Sequence, residues 1–83
     1  MHRLTNRQLK VAILTLRQLN VRSPQRLNEL AEGVGLRPSS LSRHTQEFER
    51  LGILKRDTPL GGYEIGPKAG QYLRKWGIGE YYV

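Results

Sequence analysis

The chain of 83 residues carries 14 Lys and Arg against seven Asp and Glu, which gives a formal net charge of +7. It contains no Cys, which excludes disulfides, zinc ribbons and thiol catalysis, and its two His, His2 and His44, are too few for a metal site. The length accommodates one hydrophobic core, so we expect a single domain spanning residues 1–83 with no bound metal or cofactor.

The excess of positive charge is the strongest compositional signal, with an isoelectric point near 10.4. Because a basic surface releases counterions from the phosphates it binds, the leading explanation is a nucleic-acid partner. The alternative is a protein that is merely basic, such as a ribosome-associated or thermophile protein. No apolar run approaches the ~20 residues of a membrane span, and no signal-peptide pattern opens the chain. We therefore expect a soluble, cytoplasmic, nucleoid-associated protein.

The first predicted helix covers about residues 6–19. Thr5 and Gln8 have the spacing of a capping box, in which each side chain accepts a hydrogen bond from the other residue's backbone. The helical period predicts a core-facing set formed by Leu9, Ala12, Ile13, Leu16 and Leu19. A second, narrower apolar edge is formed by Leu4, Val11 and Leu14. This edge has two possible explanations: it lies under the C-terminal tail, or it contacts a second subunit.

Two further helices follow a break at Pro24, which disfavours helical backbone at the residue before it. The second helix is predicted to begin near Asn28, its N-cap, and to stop at Gly35, with three inward-facing residues, Leu30, Ala31 and Val34. Pro38 suits the first turn of a third helix because its missing N–H needs no partner there. The third helix is predicted to end at Leu51, which places a helix-turn-helix over about residues 28–51.

The third helix has two contrasting faces. At about 100° per residue, the stripe predicted to be buried consists of Leu41, Thr45, Phe48 and Leu51. The opposite side lacks the Glu/Lys mixture of a solvated helix and carries Ser39, Arg43, Gln46 and Arg50. Arg can form two hydrogen bonds to guanine, Gln can do the same with adenine, and Ser can bind bases or phosphates. This face is therefore suited to the major groove of DNA.

The apolar period changes after the third helix. Residues 53–57 and 63–65 are short strand candidates on either side of the Pro- and Gly-rich loop 58–62, which predicts a β-hairpin over about 53–65. A fourth helix is predicted over about 67–76, with inward-facing residues Ala69, Tyr72, Leu73 and Trp76. The tail ends in three apolar or aromatic residues that we expect to pack on this domain or on a second subunit, Tyr81, Tyr82 and Val83.

Three helices, a hairpin and a fourth helix make a mainly α fold in the order of a winged helix-turn-helix (α1-α2-α3-β-hairpin-α4), with the hairpin as the wing. The segment NELAEGVGLRPSSLSRHTQEFERLGILKR, residues 28–56, resembles the core of MarR/ArsR-type winged helix-turn-helix transcriptional regulators. The segment YEIGPKAGQYL, residues 63–73, is similar to the end of their wing and the start of their next helix. The resemblance covers about residues 26–74 and implies binding to double-stranded DNA.

The chain departs from the pattern of those regulators at Arg37, Thr45 and Gly66. It also departs at the tip of the hairpin, residues 57–62, which carries no cation where the family often places an Arg that enters the minor groove. This departure puts minor-groove reading by the wing in doubt. We therefore expect the third helix to carry most of the base reading.

The candidate DNA-binding residues are Arg37, Ser39, Ser40, Ser42, Arg43, Gln46, Arg50 and Arg56. We expect Arg43 to read a base, and the alternative is a solvated Arg43 that bridges Glu47. Gln46 is a base reader or an ordinary surface residue, and the three Ser lie near DNA or, for the first two, assist the start of the helix. Arg37 and Arg50 are expected to contact phosphates, which position a protein without specifying sequence.

Two residues near this surface have their own alternatives. Arg56 matches the basic residue that follows the G-L-I motif in the resembling family, and it contacts a phosphate or pairs with Asp57. His44 lies toward the packed edge of the third helix, so we expect a structural imidazole rather than a catalytic one.

We expect a sequence-specific transcriptional regulator, more readily a repressor than an activator. It should bind as a homodimer, through the first helix (Leu4, Val11, Leu14) and the tail (Tyr81, Tyr82, Val83), without a small-molecule effector. One alternative is an architectural, plasmid-partition or replication-initiation DNA-binding module, and a second is a protein-interaction winged helix. An enzyme is not expected, because no nucleophile–base pair, paired carboxylates or phosphate loop is evident.

Overall fold

Four helices and one antiparallel hairpin form the part of the chain that the computed structural model describes, residues 4–57, 59 and 61–77. The elements are α1 (Asn6–Val21), α2 (Leu27–Val34), α3 (Pro38–Leu51), β1 (Leu54–Asp57), β2 (Gly62–Ile65) and α4 (Ala69–Lys75). This order confirms the predicted winged helix-turn-helix. No helix formed by these described residues is long and apolar enough to cross a membrane. The predicted contacts of Tyr81, Tyr82 and Val83 lie outside the described residues.

The capping box at the start of α1 is present as predicted. The Thr5 hydroxyl accepts the Gln8 N–H at 3.1 Å, and the Gln8 side-chain oxygen accepts the Thr5 N–H at 2.9 Å. Two backbone donors that the helix leaves without partners are thereby satisfied. The helix continues to Val21, two residues beyond the predicted end.

The buried face of α1 is rotated relative to the prediction. Leu9 and Ile13, which were expected in the core, are only half-buried, whereas Val11 is 6% exposed and belongs to the core. Thr15 makes this rotation possible: its hydroxyl donates to the Val11 carbonyl at 2.7 Å, so a polar residue is buried without an unsatisfied group. The prediction that Val11 contacts a second subunit is therefore wrong, because its side chain is already covered by its own domain.

The second helix begins earlier than predicted. Its cap residue is Arg26 and not Asn28, because the Glu29 carboxylate accepts the Arg26 N–H at 2.8 Å and also pairs with Arg22 at 2.9 Å. The Arg26 backbone bond, followed by Arg22, lowers the pKa of Glu29. The helix stops as predicted at Gly35, which adopts a φ of +86° and donates its N–H to the Ala31 carbonyl at 2.9 Å.

Helix α3 has the predicted limits, from Pro38 to Leu51, and the predicted buried stripe. Leu41, Thr45 and Phe48 have no exposed surface, and Leu51 is also buried. They pack with α1, α2 and the hairpin in one core whose largest fully buried members are Phe48, Leu16, Leu19, Leu30, Leu41, Ile53 and Leu54. The buried stripe therefore determines which side of α3 faces outward.

The wing is attached to the helices by the segment between α1 and α2. Gln25 forms an antiparallel bridge with Tyr63 of β2, with backbone N–H···O distances of 3.1 and 2.7 Å. The Gln25 side chain donates to the carbonyls of Gln18 and Arg22, at 2.7 Å each, and so satisfies acceptors at the end of α1. Gln25, the residue after the break at Pro24, thus joins the first helix to the wing.

Candidate nucleic-acid interface

The outward side of α3 carries a continuous polar stripe. Ser39, Arg43, Gln46 and Arg50 are all exposed, and their spacing of four, three and four residues places them in one row along the helix. Ser40 and Ser42 are half-buried at its two edges, and Arg37 is exposed just before the helix begins. We call the four residues in the row the polar stripe. The helical period predicted this stripe correctly, because the buried stripe opposite it is where the core lies.

Arg43 lies near the middle of the polar stripe and is not held by a carboxylate. Within residues 4–57, 59 and 61–77, no Asp or Glu lies within ion-pair distance of its guanidinium. The predicted alternative, an Arg43 that bridges Glu47, does not occur, because Glu47 binds Arg50 instead. The planar donor group of Arg43 is thus available to an incoming ligand.

Arg50, by contrast, is engaged by its own helix. Its Nε donates to the Glu47 carboxylate at 3.0 Å and a terminal nitrogen donates to the second carboxylate oxygen. These hydrogen bonds raise the pKa of Arg50. The Arg50 side chain is exposed, so solvent screens the pair and its net contribution to folding is small. A phosphate that approaches Arg50 must share the guanidinium with Glu47.

Arg56 lies on β1 and turns toward α3. Its Nε donates to the Glu49 carboxylate at 3.0 Å, and a terminal nitrogen donates to the Tyr63 hydroxyl at 2.9 Å. These contacts raise the pKa of Arg56, with the Glu49 hydrogen bond as the largest cause. The predicted pairing with Asp57 is wrong: the two residues are neighbours in a strand, so their side chains leave on opposite faces.

His44 occupies the packed edge of α3, as predicted. Its ring stacks on Phe48 with 6.0 Å between ring centroids and 25° between ring planes. Burial lowers the pKa of His44, and the positive charge of Arg7 on α1 lowers it further. The neutral imidazole is therefore the form that this packing favours.

Acidification is expected to destabilise the protein through His44. Its pKa is lowered on folding from the ordinary value of 6.5, so below that pH the unfolded chain binds the proton more readily. The stability contributed by the neutral ring is fully present above about pH 6.5 and is lost as the pH falls toward the lowered pKa. Thermal unfolding at a series of pH values measures this. His44→Gln should show a flatter fall in Tm with pH, and an identical fall would contradict the assignment.

Three exposed cations near α3 were not among the predicted site residues: Arg7, Lys55 and Lys68. Arg7 is close enough to His44 to shift its pKa. The Lys68 side chain passes over Gly52 at the end of α3, and its N–H donates to the Gly52 carbonyl at 2.9 Å. Lys55 is exposed on β1. Only the net charge pointed to such residues, because each lies on a different segment of the fold outside α3.

The described residues include no group of three or more His, Cys, Asp or Glu that could hold a metal ion. The charged side chains around α3 are cations of the polar stripe and its neighbours, with Glu47 and Glu49 each engaged by an Arg. The surface therefore has the chemistry of an anion-binding face with hydrogen-bond donors, and base edges and phosphates are ligands of that kind.

Comparison with known families agrees with this surface. The family model of the IclR helix-turn-helix domain matches residues 13–58, which is more than half of the chain and includes α2, α3 and β1. Neither a curated protein nor a solved structure matches the chain. The match confirms the helix-turn-helix DNA-binding regulator implied by the earlier resemblance. It does not confirm the MarR/ArsR type.

Proposed function

Because the chain belongs to the IclR helix-turn-helix family and carries the sequence-specific DNA-binding domain of a transcriptional regulator, we propose that α3 is its major-groove reader. The polar stripe lies toward the bases, and the protein acts as a repressor that occupies its site and excludes competing proteins. The observation that carries this proposal is the exposed row from Ser39 to Arg50. Within the described residues, no Asp or Glu forms an ion pair with Arg43 in this row.

The dimensions of the polar stripe support this proposal. From Ser39 to Arg50 the helix advances 11 residues, or about 16 Å at ~1.5 Å per residue. That length corresponds to about four or five base pairs at ~3.4 Å per step. The major groove is about 12 Å wide and admits a helix of this kind. One copy of α3 can therefore read a short half-site.

The chemistry of the polar stripe assigns a role to each member. Arg43 forms two hydrogen bonds to guanine, and Gln46 does so to adenine one turn further along. Ser39 and the edge residues Ser40 and Ser42 are small enough to let the helix approach bases and backbone closely. Arg37 and Arg50, at the two ends of the row, contact phosphates and set its position in the groove.

Selection of bound sequences from a pool of random DNA duplexes tests the proposal. We expect a short enriched motif that contains a guanine, and discrimination of about 10³ or more over random duplex. Salt-dependent binding without an enriched motif would instead indicate an architectural or partition module. Absence of any salt-dependent binding would indicate a protein-interaction domain.

We also propose that the protein binds as a homodimer, because two half-sites one helical turn apart, ~34 Å, multiply the specificity of one short helix. With Val11 in the core and Leu4 packed against it, Leu14 is the predicted contact residue that remains on α1. It lines one shallow groove with Leu9 and Ile13, which are also half-buried, and with two cations, Lys10 and Arg17. In a two-fold dimer formed at this groove, both subunits contribute Lys10 and Arg17 to the contact, so the cations of one subunit lie near those of the other.

The charge around this groove leads to a specific expectation for assembly. Dimerisation through α1 should strengthen as salt rises, because screening weakens the repulsion between cations, whereas DNA binding should weaken. Sedimentation at two salt concentrations measures the first effect. Leu14→Asp should abolish the dimer, with the exposed Asn20→Asp as a control for added charge on the same helix. A monomer at high protein concentration in both salts would rule out the dimer.

Glu47→Gln is expected to strengthen DNA binding on all sequences. The substitution removes a negative charge beside the polar stripe and releases Arg50 from its carboxylate partner. Arg50, which otherwise shares its guanidinium with Glu47, should then make a full phosphate contact, and the dependence of log K on log salt should steepen by up to about 0.9. Titration at several salt concentrations measures this slope. The matched control is Glu32→Gln on α2, an exposed carboxylate away from α3; an equal gain there would show that only net charge matters.

A further inference from the structure

The contacts of Arg56 connect the wing to the recognition helix. Arg56 on β1 lies directly opposite Tyr63 on β2, and its guanidinium carbon is 5.0 Å from the centroid of the Tyr63 ring. From there the side chain reaches back to Glu49 on α3, with an Nε–Oε1 distance of 3.0 Å. One side chain thus touches both strands of the wing and the helix that lies beside them.

A chain of hydrogen bonds continues from Arg56 into α3. The Tyr63 hydroxyl accepts from Arg56 at 2.9 Å and lies 3.4 Å from the Thr45 hydroxyl. Thr45 donates its single proton to the Ser42 carbonyl at 3.0 Å, so the Tyr63 proton is the one directed to Thr45. The chain ends at Ser42, on the edge of the polar stripe.

Burial decides which of these contacts sets the position of Arg56. The Arg56 and Glu49 side chains are 51% and 26% exposed, and a pair of that kind contributes little by itself. Tyr63 is only 5% exposed and Thr45 has no exposed surface. A buried hydroxyl that loses its partner is costly, so Tyr63 keeps Arg56 in place more firmly than Glu49 does.

Part of the hydrogen-bonding capacity of Arg56 is already taken up within the protein. Its Nε and one terminal nitrogen are directed to Glu49 and Tyr63, and its cationic plane lies against the Tyr63 ring. Lys55, the preceding residue on β1, leaves the strand on the opposite face, is exposed and makes no ion pair within the described part of the chain. The two adjacent cations of the wing therefore have different surroundings.

We propose that Arg56 is a positioning residue that holds the wing against α3, and that Lys55 is the residue of β1 that contacts the DNA backbone. The polar stripe reads the bases, and the wing contacts the DNA beside them. Arg56 determines the position of that second contact. This inference rests on the proposed DNA-binding function and adds to it a division of work between two neighbouring cations, which the sequence treated as equivalent basic residues.

Three single variants test the division on the duplex obtained by selection: Arg56→Gln, Lys55→Gln and Tyr63→Phe. Lys55→Gln should reduce the salt slope of binding by about 0.9, because one phosphate contact is lost. Arg56→Gln should abolish hydroxyl-radical protection of the flank contacted by the wing. It should lower the slope by no more than Lys55→Gln does, because it acts by displacing Lys55, and the two variants combined should lower the slope no further. Tyr63→Phe should have the same effect on the flank without removing a charge, and Tyr63 is too buried to touch DNA itself.

Exchanging the charges of residues 49 and 56 separates a positioning role of Arg56 from direct binding to phosphate. In the double variant Glu49→Arg with Arg56→Glu the ion pair is restored in reverse, and the single Tyr63 proton turns from Thr45 to the new carboxylate, which keeps the contact across the hairpin. Flank protection should return relative to Arg56→Gln. If the slope losses of Arg56→Gln and Lys55→Gln add to about 1.8 in the double variant, or if the exchange leaves the flank unprotected, Arg56 is a phosphate ligand and the proposal is overturned.

Failure of this inference can be separated from failure of the proposed function. A double-mutant cycle of Tyr63→Phe and Arg56→Gln on thermal unfolding, without DNA, measures whether the two side chains interact. Coupling is expected, and its absence would overturn the positioning role whatever the DNA results. Loss of all salt-dependent DNA binding by the unmodified protein would instead overturn the proposed function.

Discussion

Arg43→Ala is expected to weaken binding to the selected duplex by about 1–3 kcal/mol, with the loss concentrated at one or two base positions. Arg43 is exposed in the middle of the polar stripe, and no carboxylate of the described chain competes for its donors. Removing it therefore removes a base contact without releasing or exposing any other group. Folding should be unaffected, because surface substitutions away from the core change stability little, by about 0.5 kcal/mol or less.

Competition titrations with duplexes that differ at single positions measure this effect. The matched control is Arg17→Ala, which removes the same charge from α1, outside α3 and the wing. It should change the affinity for all duplexes to a similar, small extent. If Arg43→Ala weakens binding equally on every sequence, Arg43 is a phosphate contact, and Gln46 becomes the leading candidate for base reading.

Gly66→Ala is expected to lower the free energy of unfolding by about 3 kcal/mol, at the upper end of the usual cost of overpacking. Gly66 is buried between β2 and α4, where its N–H donates to the Ile53 carbonyl at 2.7 Å. A Cβ at this position would lie 2.6 Å from the Ile53 carbonyl carbon and 2.8 Å from that of Gly52. Both are backbone atoms, so neither can move aside by changing a rotamer.

The loss should appear as a fall in Tm of about 10–20 °C for a domain of this size. Gly70→Ala is the matched control, since it adds the same methyl group inside α4, where the added Cβ would lie 3.5 Å from a side-chain nitrogen of Arg74. That variant should be more stable by about 0.5–1 kcal/mol, because Ala favours helix over Gly. Equal changes in the two variants would contradict the steric explanation.

The position of Gly66 also explains one departure from the resemblance found in the sequence. The pattern of the MarR/ArsR type favours Thr at this position, whereas in this chain the backbone after β2 approaches the backbone after α3 too closely for any Cβ. The close approach brings the end of the wing directly onto the C-terminal end of α3. A change at Gly66 should therefore disturb the wing before it disturbs α3.

Signals that act within a few residues were sufficient to predict most of the fold. The capping pair Thr5 and Gln8, the stops at Gly35 and Gly52, and the period of α3 are determined by backbone conformation and by the pitch of a helix. The polar stripe followed from the same period, since the side opposite a buried stripe is exposed. Its role in DNA binding remains a proposal.

Only the tertiary structure decided how the charged and buried side chains are partnered. Arg56 met Glu49 and Tyr63 rather than Asp57, Val11 entered the core, and Gln25 joined α1 to the wing. Each of these contacts joins residues of different elements or depends on the rotation of one helix against the others. The sequence by itself determined which side of α3 is free, because periodicity is local. The same periodicity could not predict which cations on that side are held by ion pairs. That depends on how far each guanidinium lies from the carboxylates in the folded chain.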